Sequence, residues 1–235
     1  MRKYLIVNGD DFGASQGINR GILEAHLSGI LTSTSLMVNA PYCEEAVSQS
    51  VGLASLSVGL HLTLTSEAGK PLYDLDDPAI CRAELQKQFL RFQDLMERLP
   101  THIDSHHHIH RDPRVLPFFL ELAEQYHLPM REHSPVKYFP DFYAQWDGET
   151  HLEQVSVEHL MKIFDSEIGE GFTELGCHPG YIDPKFDSTY HIERETELQT
   201  LCDSRLRVKI EELGITLIGF QDLDSLVAET SDIAE

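Results

Sequence analysis

The sequence is poor in cysteine and in basic residues. Its four cysteines lie far apart and form no C-x-x-C pair, so no disulfide framework is expected and the cytoplasm is the compartment that fits. Lysine and arginine together number 18 against 39 acidic residues, which gives a formal net charge of −21. That balance argues against nucleic-acid and anionic-membrane partners, because both bind clustered basic side chains.

Long apolar runs are absent as well. No stretch approaches the roughly 18 apolar residues of a membrane span, and none near the start has the length of a secretory signal. The 235 residues are nevertheless 41% hydrophobic, which suffices for a sizeable core. We therefore expect a cytoplasmic protein without a nucleic-acid or membrane partner.

Short strand-like runs alternate with longer helical patterns along the chain. Strands are predicted at 4–8, 32–38, 56–64, 101–106, 128–131, 172–177 and 215–219, and helices at 17–27, 42–52, 78–98, 114–127, 156–169, 194–213 and 222–228. This alternation implies a parallel α/β sheet. About seven parallel strands favour a single-domain (β/α) barrel over 1–235, and a doubly wound open sheet is the alternative. Residues 65–77 and 132–153 are predicted to be loops that shape a cleft.

Carboxylates and imidazoles occur at the ends of four predicted strands. The site of a parallel barrel lies at the carboxyl ends of its strands, so these side chains are expected to meet at one rim. They are Asp10 and Asp11 after the first strand, His61 in the third, Asp104 and His106 in the fourth, and His178 after the sixth. Their convergence on one rim predicts a functional site.

Each of these residues also has a plain structural explanation. Asp10 and Asp11 could cap the helix that follows them. His61 could be a core histidine, and His178, before Pro and Gly, could be a turn residue. The stretch T-H-I-D-S-H-H-H-I-H is harder to explain in this way, because it places five imidazoles within ten residues. That density of ligand-type side chains predicts a metal site.

The expected metal site combines one carboxylate with two imidazoles, a usual catalytic set that leaves positions open for water and substrate. The best such set is Asp11, His61 and His106. It leaves Asp10 as a general base and His178 as a general acid that can protonate an amine leaving group. Ligand softness favours Zn²⁺, although one carboxylate and several waters could hold Mg²⁺. These parts suit hydrolysis of an amide or an ester, because a divalent ion acidifies water and polarises a carbonyl.

Six motifs together resemble those of the YdjC-like carbohydrate deacetylase family. They run from residue 5 to about 220 and read L-I-V-N-G-D-D-F-G-A-S-Q-G-I-N-R-G-I, G-I-L-T-S-T-S-L-M-V-N, V-G-L-H-L-T-L-T, P-T-H-I-D-S-H-H-H-I-H, C-H-P-G-Y-I-D and R-E-T-E-L. The resemblance implies one domain with a distorted (β/α) barrel. It also implies a divalent metal ion, removal of N-acetyl groups from amino sugars or chito-oligosaccharides, and a homodimer.

The resemblance also implies roles for single residues. The metal ligands fall on Asp11, His61 and His106, the base on Asp10 and the late histidine on His178. Three further residues are expected around this set. Asp104 is expected to contact a ligand histidine and Arg194 a rim carboxylate such as Asp10. Tyr181 is expected to lie beside the ligands or the substrate. Arg194 could equally be a surface helix charge.

Several assignments are left open by the sequence. Aromatic residues of the two irregular segments could stack on sugar faces or simply pack, and these are Tyr73, Tyr138, Phe139, Phe142, Tyr143 and Trp146. The sequence also leaves open the roles of the other histidines of the run. They could contact the metal ligands, line the substrate rim or pack in the core, and they are His102, His107, His108 and His110. The segment between His61 and Thr101 is shorter than in chitobiose-acting relatives, which leaves the sugar and its chain length open.

Two rival functions are considered. One is another metal-dependent barrel hydrolase, acting on phosphoesters or cyclic amides, for which further carboxylate or lysine ligands would be expected. The other is a non-catalytic sugar- or metal-binding protein. The paired acids Asp10 and Asp11, with His178 opposite, argue against the second rival because binding a metal needs only one of those acids.

Overall fold

The computed structural model describes residues 2–232, without the side chains of 230–232. The strands are β1 (Lys3–Phe12), β2 (Ser33–Leu36), β3 (Ser57–Leu62), β4 (Ile103–Ser105), β5 (Lys137–Phe139), β6 (Gln145–Trp146), β7 (Glu149–Thr150), β8 (Gly171–Cys177) and β9 (Ile215–Leu217). The α-helices are α1 (Gln16–Leu27), α2 (Cys43–Ser50), α3 (Pro78–Met96), α4 (Leu116–Tyr126), α5 (Val157–Ser166), α6 (Ile192–Leu201), α7 (Ser204–Glu212) and α8 (Leu223–Asp232).

Seven of these strands form one parallel sheet in the order β4-β3-β2-β1-β8-β5, with β9 beside β1. The long strand β1 pairs with β8 along most of its length, while its first residues pair with β9 and its last with β2. The sheet curls with helices around it, so the prediction of a distorted (β/α) barrel is confirmed. β6 and β7 form a separate antiparallel hairpin.

The chemistry of single residues explains where the elements begin. Ser15 caps α1 by accepting a hydrogen bond from the Ile18 N–H at 3.1 Å. Asp77 caps α3 in the same way, and Pro78 occupies its first turn. Strand β1 is buried along nearly its whole length, as expected for a parallel strand covered on both faces.

The predicted elements agree with the structure within a few residues at most boundaries.

Two predicted elements differ from the structure. The strand expected at 128–131 is reduced to one bridge between Met130 and Ile103 of β4, and the strand that follows it in the sequence, β5, pairs instead with β8. β5 lies in the segment 132–153, where Pro135 and Pro140 flank the short strand and gave the sequence a loop-like character.

The helix expected at 194–213 is two helices, α6 and α7. Asp203 separates them, because its side chain accepts a hydrogen bond from the Arg205 N–H and caps a new helix. Within residues 2–232 no helix combines the length and the apolar character needed to cross a membrane.

Candidate active site

A pocket of about 360 Å³ opens at the carboxyl ends of the strands. Six of the predicted site residues line it, and these are Asp10, Asp11, His61, His106, His178 and Arg194. Asp104 is fully buried directly beneath them. The convergence expected from the strand ends is therefore present in the fold.

An irregularity in β1 lets two consecutive acids face the same pocket. Neighbouring residues of a regular strand point to opposite faces. The pairing of β1 with β2 shifts register between Gly9 and Phe12, and Asp11 has a left-handed φ of 69°. Such bulges and strained residues are common at functional sites, where they redirect a side chain. As a result, Asp10 and Asp11 are both buried and both line the pocket.

Asp11, His61 and His106 form a compact set of potential metal ligands. Asp11 Oδ1 lies 3.4 Å from His61 Nε2 and 3.1 Å from His106 Nδ1. One ligand atom from each of the three residues lies within 4.8 Å of the others. The opposite ring nitrogen of His61 is 2.7 Å from Asp104 Oδ1, a contact that fixes the orientation of the His61 ring.

The chemistry of this set fits a divalent cation. His106 Nε2 is buried, and among residues 2–232 it has no hydrogen-bond partner; the Glu67 carboxylate lies 3.5 Å away. Burial would lower the pKa of His61, but Asp104, with Asp11 and Asp10, raises it to about 10. The buried acids therefore hold a positive charge on His61 in the metal-free protein, which a metal ion would replace.

A second group of potential ligands is already occupied by a side chain. Asp10, His61 and Asp104 also offer atoms within 4.8 Å of one another. However, Arg131 Nη2 lies 2.8 Å from Asp10 Oδ1 and 2.9 Å from Asp104 Oδ2. The guanidinium supplies the positive charge at that position, so the geometry favours one metal ion rather than two.

Asp10 is held as an ionised carboxylate. The Arg131 guanidinium donates to both of its oxygens, at 2.7 and 2.8 Å, and Asn8 Nδ2 donates to Oδ1 at 2.8 Å. Burial alone would raise the pKa of Asp10, but Arg131, with His61 and His178, holds it well below its usual range. On its open side, Asp10 Oδ2 lies 4.0 Å from His178 Nε2.

Arg131 was not identified from the sequence, although it is almost fully buried and central to the site. It also donates to Glu174 Oε1 at 2.6 and 2.9 Å, and burial raises the pKa of Glu174 to about 7. In the sequence Arg131 follows a short apolar run with no other sign of burial. Only the path of the chain past the edge of β4 brings it beneath Asp10.

Helix α6 holds the backbone of His178 from both sides. The His178 N–H donates to Glu197 Oε2, and the His178 carbonyl accepts from Arg194 Nη1 at 3.4 Å. Tyr190 donates its hydroxyl to the other Glu197 oxygen at 2.5 Å. Burial lowers the pKa of His178 and raises that of Glu197 to about 8. Glu197 and Tyr190 are therefore further residues of the site that sequence reasoning missed.

Arg194 holds a rim carboxylate as expected, whereas Tyr181 lies outside the pocket. The carboxylate that Arg194 contacts is Asp11 rather than the example Asp10, because its Nη2 donates to Asp11 Oδ2 at 2.7 Å. Tyr181 does not line the pocket, because its hydroxyl donates to Glu24 on α1 at 2.6 Å. The expected substrate contact of Tyr181 is thus replaced by anchoring of the loop after His178.

The remaining histidines of the 101–110 stretch divide into two pairs. His107 and His108 line the pocket, with His107 Nδ1 3.1 Å from Thr65 Oγ1 and His108 Nε2 3.4 Å from the Tyr138 hydroxyl. Both have left-handed φ angles, which turn the chain sharply after His106. His102 and His110 are buried away from the pocket opening.

These buried histidines have structural contacts. The His102 ring stacks on Phe220 with centroids 3.9 Å apart. His110 bridges Ser105 and Glu132, with its ring nitrogens 2.6 and 3.1 Å from their oxygens. Packing therefore accounts for these two residues.

The fold and the site together define a (β/α)-barrel protein in which one carboxylate and two imidazoles form a set of potential metal ligands, beside a second carboxylate held by Arg131. The family model described as YdjC-like protein matches residues 4–212, and the chain belongs to this family.

Full-length relatives carry related names. A carbohydrate deacetylase of Geobacillus stearothermophilus is 36% identical, with 96% of this chain and 100% of the relative covered. A chitooligosaccharide deacetylase of Proteus mirabilis (strain HI4320) is also 36% identical, with 95% and 100% covered.

Solved structures have the same architecture. A protein of Enterococcus faecalis V583, for which cellobiose-phosphate cleavage has been suggested, is 29% identical and superposes with a TM-score of 0.80, with 95% of this chain and 99% of that chain covered. A family 4 carbohydrate esterase of Streptomyces lividans gives a TM-score of 0.57 at 12% identity, with 92% and 91% covered, a likeness of fold alone.

Proposed function

We propose that this protein is a metal-dependent hydrolase that removes N-acetyl groups from acetylated amino sugars, including chito-oligosaccharides. The observation that carries the proposal is the pocket in which Asp10, the set Asp11, His61 and His106, and His178 face one another. Full-length similarity to proteins named carbohydrate deacetylase and chitooligosaccharide deacetylase supports the same reaction class.

Asp11, His61 and His106 would hold the divalent ion, for which Zn²⁺ and Mg²⁺ are the candidates. When bound, such an ion polarises the acetamide carbonyl and acidifies water. Asp104 orients the His61 ring, and Arg194 orients the Asp11 carboxylate. These outer contacts hold the ligand side chains in place before the ion and the substrate bind.

Asp10 is the proposed general base. Its contact with Arg131 keeps it ionised at all but strongly acidic pH, which is the form that accepts a proton from the attacking water. The same contact makes the protonated form of Asp10 unfavourable, so Asp10 does not retain that proton. It is therefore suited to pass the proton onward.

His178 is the proposed carrier of that proton to the leaving group. Its Nε2 lies 4.0 Å from Asp10 Oδ2, and the lowered pKa of His178 leaves the ring neutral and able to accept a proton. As the amide C–N bond breaks, the proton would pass from His178 to the amine nitrogen. The attacking oxygen leaves in acetate, so one water molecule is consumed for each acetyl group removed.

Acetate release tests this proposal directly. Chelated protein, re-loaded with Zn²⁺, Mg²⁺, Co²⁺ or nothing, is mixed with N,N′-diacetylchitobiose or N-acetylglucosamine 6-phosphate. We expect stoichiometric acetate and free amine only with metal, and the rates rank the ions. No acetate from any acetylated sugar under any metal condition would reject the proposed reaction.

A further inference from the structure

A second groove adjoins the active-site pocket. It lies between the segment 139–146 and helix α5, and it has a volume of about 620 Å³. Pro140 and Tyr143 line both this second groove and the pocket, so the two spaces meet at a ridge formed by these residues. Its volume falls within the range of roughly 300–1,000 Å³ that is usual for small-molecule sites.

Two partly exposed aromatic rings mark the path from the pocket into the second groove. Tyr143 is 38% exposed, and its ring is backed by Tyr190 at a centroid distance of 4.7 Å and an interplanar angle of 3°. Trp146 is 43% exposed, and its ring is backed by His151 at 3.8 Å and 6°. Each ring is held from one side and remains accessible, and such rigid apolar surfaces suit the C–H faces of sugar rings.

The polar side chains of the second groove suit a neutral ligand rich in hydroxyl groups. Gln154 and His159 offer both donors and acceptors, while Asp141 and Lys162 bring opposite charges. Glu167 is already engaged, because Lys137 Nζ lies 3.6 Å from its carboxylate. A mixed lining of this kind has no single strong charge and therefore does not favour an ionic ligand.

We infer that the second groove binds the sugar units of a neutral oligosaccharide that extend beyond the unit in the pocket, with their rings stacked on Tyr143 and Trp146. The inference rests on the proposed function, in that an acetylated amino sugar occupies the pocket. It makes the preferred substrate an oligosaccharide of more than two units rather than a single amino sugar.

Trp146 is the only tryptophan of the chain, so its emission reports on the second groove without any need for turnover. The full-length protein is titrated in the presence of a chelator with N-acetylglucosamine, N,N′-diacetylchitobiose and tetra-N-acetylchitotetraose. We expect a saturable emission change with the tetramer, an affinity about ten-fold higher for the tetramer than for the dimer, and no saturable change with the monomer.

Kinetics with metal-loaded variants provide the second measurement. Trp146→Ala is expected to raise KM for the tetramer about ten-fold and KM for the dimer by a clearly smaller factor. Trp146→Phe keeps an aromatic ring and is expected to restore a low KM. Val208→Ala, which shortens an exposed side chain on α7, is the matched control and should leave all constants unchanged.

The outcomes separate this inference from the proposed function. If wild-type protein releases acetate but neither Trp146 emission nor the Trp146→Ala constants depend on chain length, the second groove is not a sugar site and the deacetylase proposal stands. If the tetramer changes the emission and binds more tightly than the dimer but no sugar yields acetate, the groove inference stands and the deacetylase proposal fails.

Discussion

Asp10 is the single residue whose replacement should separate turnover from metal binding. Asn in its place keeps the size of the side chain and an oxygen for Arg131, but it cannot accept a proton. We expect Asp10→Asn to bind metal as wild type does and to lose about 10²–10⁴-fold in kcat, the usual contribution of a general base. Acetate release and metal content measured on the same preparation test this.

The matched control for Asp10→Asn is Asp94→Asn, the same change at an exposed position of α3. The control should retain wild-type turnover. Near-normal kcat in Asp10→Asn would remove Asp10 as the base and leave His178 as the candidate for that role.

Two adjacent histidines provide a sharp test of the metal ligands. His106 belongs to the compact set with Asp11 and His61, whereas His107 is exposed and lies against Thr65. We expect His106→Ala to lose the metal on dialysis and His107→Ala to keep it, as measured by elemental analysis. Full occupancy in His106→Ala would place the ligand elsewhere in the histidine run.

At the residue scale, the sequence allowed us to predict the site residues that lie near the ends of strands. Five such residues lie near the ends of strands that were recognisable from their apolar runs, and parallel strands end at one rim; they are Asp10, Asp11, His61, His106 and His178. Arg131 and Glu197 were beyond reach because their burial depends on how distant segments cross the barrel. In the sequence, a buried arginine or glutamate looks the same as an exposed one.

At the scale of elements, helix α6 links the two sides of the site. Its Arg194 contacts Asp11, and its Glu197 holds the backbone N–H of His178. We expect Glu197→Ala to lower kcat by about 10²-fold, because a displacement of about 1 Å at a reacting group can have that effect. KM and metal affinity should change little, since Asp11, His61 and His106 keep their contacts.

Steady-state kinetics and metal titration of Glu197→Ala test this positioning role. Glu197→Gln keeps an oxygen for the His178 N–H and should recover most of the lost kcat. Gln199→Ala, on the exposed side of the same helix, is the control. A loss of metal that accounts for the whole fall in kcat would show that Glu197 acts through the metal site instead.

Elements were predictable where a single local pattern decides them. The apolar face of α1 and the buried run of β1 fall in this class. β5 could not be predicted from a local pattern, because this three-residue strand between Pro135 and Pro140 joins the sheet only through its long-range pairing with β8. The break between α6 and α7 was signalled by Asp203, a good N-cap residue inside an otherwise continuous helical pattern.

At the scale of the whole molecule, the barrel interior contains two carboxyl groups that stay protonated to a higher pH than carboxyl groups in water. Burial raises the pKa of Glu174 to about 7 and that of Glu197 to about 8. In the unfolded chain both groups release their protons near pH 4.5. Between these values the unfolded state binds fewer protons than the folded state, so the stability of the folded state falls as pH rises.

Asp10 and Asp11 act in a different pH range. Their pKa values are lowered below the usual value near 3.8, so the stability that they contribute is lost only in strongly acidic solution. His61, with its pKa raised to about 10, adds a further fall in stability as pH rises from about 6.5 to about 10. Glu174, Glu197 and His61 therefore contribute more to stability near pH 5 than near pH 8. Buried histidines whose pKa is lowered, such as His102 and His108, act in the opposite direction below about pH 6.5.

Glu197→Gln isolates one part of this dependence, because glutamine does not titrate. Urea unfolding of metal-free wild-type and variant protein at several pH values from 5 to 8 measures it. As pH rises through this range, the free energy of unfolding of wild type should decrease relative to that of the variant, by up to about 1.4 kcal/mol per pH unit. The contributions of the other titrating groups, among them Glu174, His61 and the buried histidines, are common to both proteins and cancel in the comparison. Parallel curves for the two proteins would mean that Glu197 ionises normally in the folded barrel, with its carboxylate stabilised by the N–H of His178 and the hydroxyl of Tyr190.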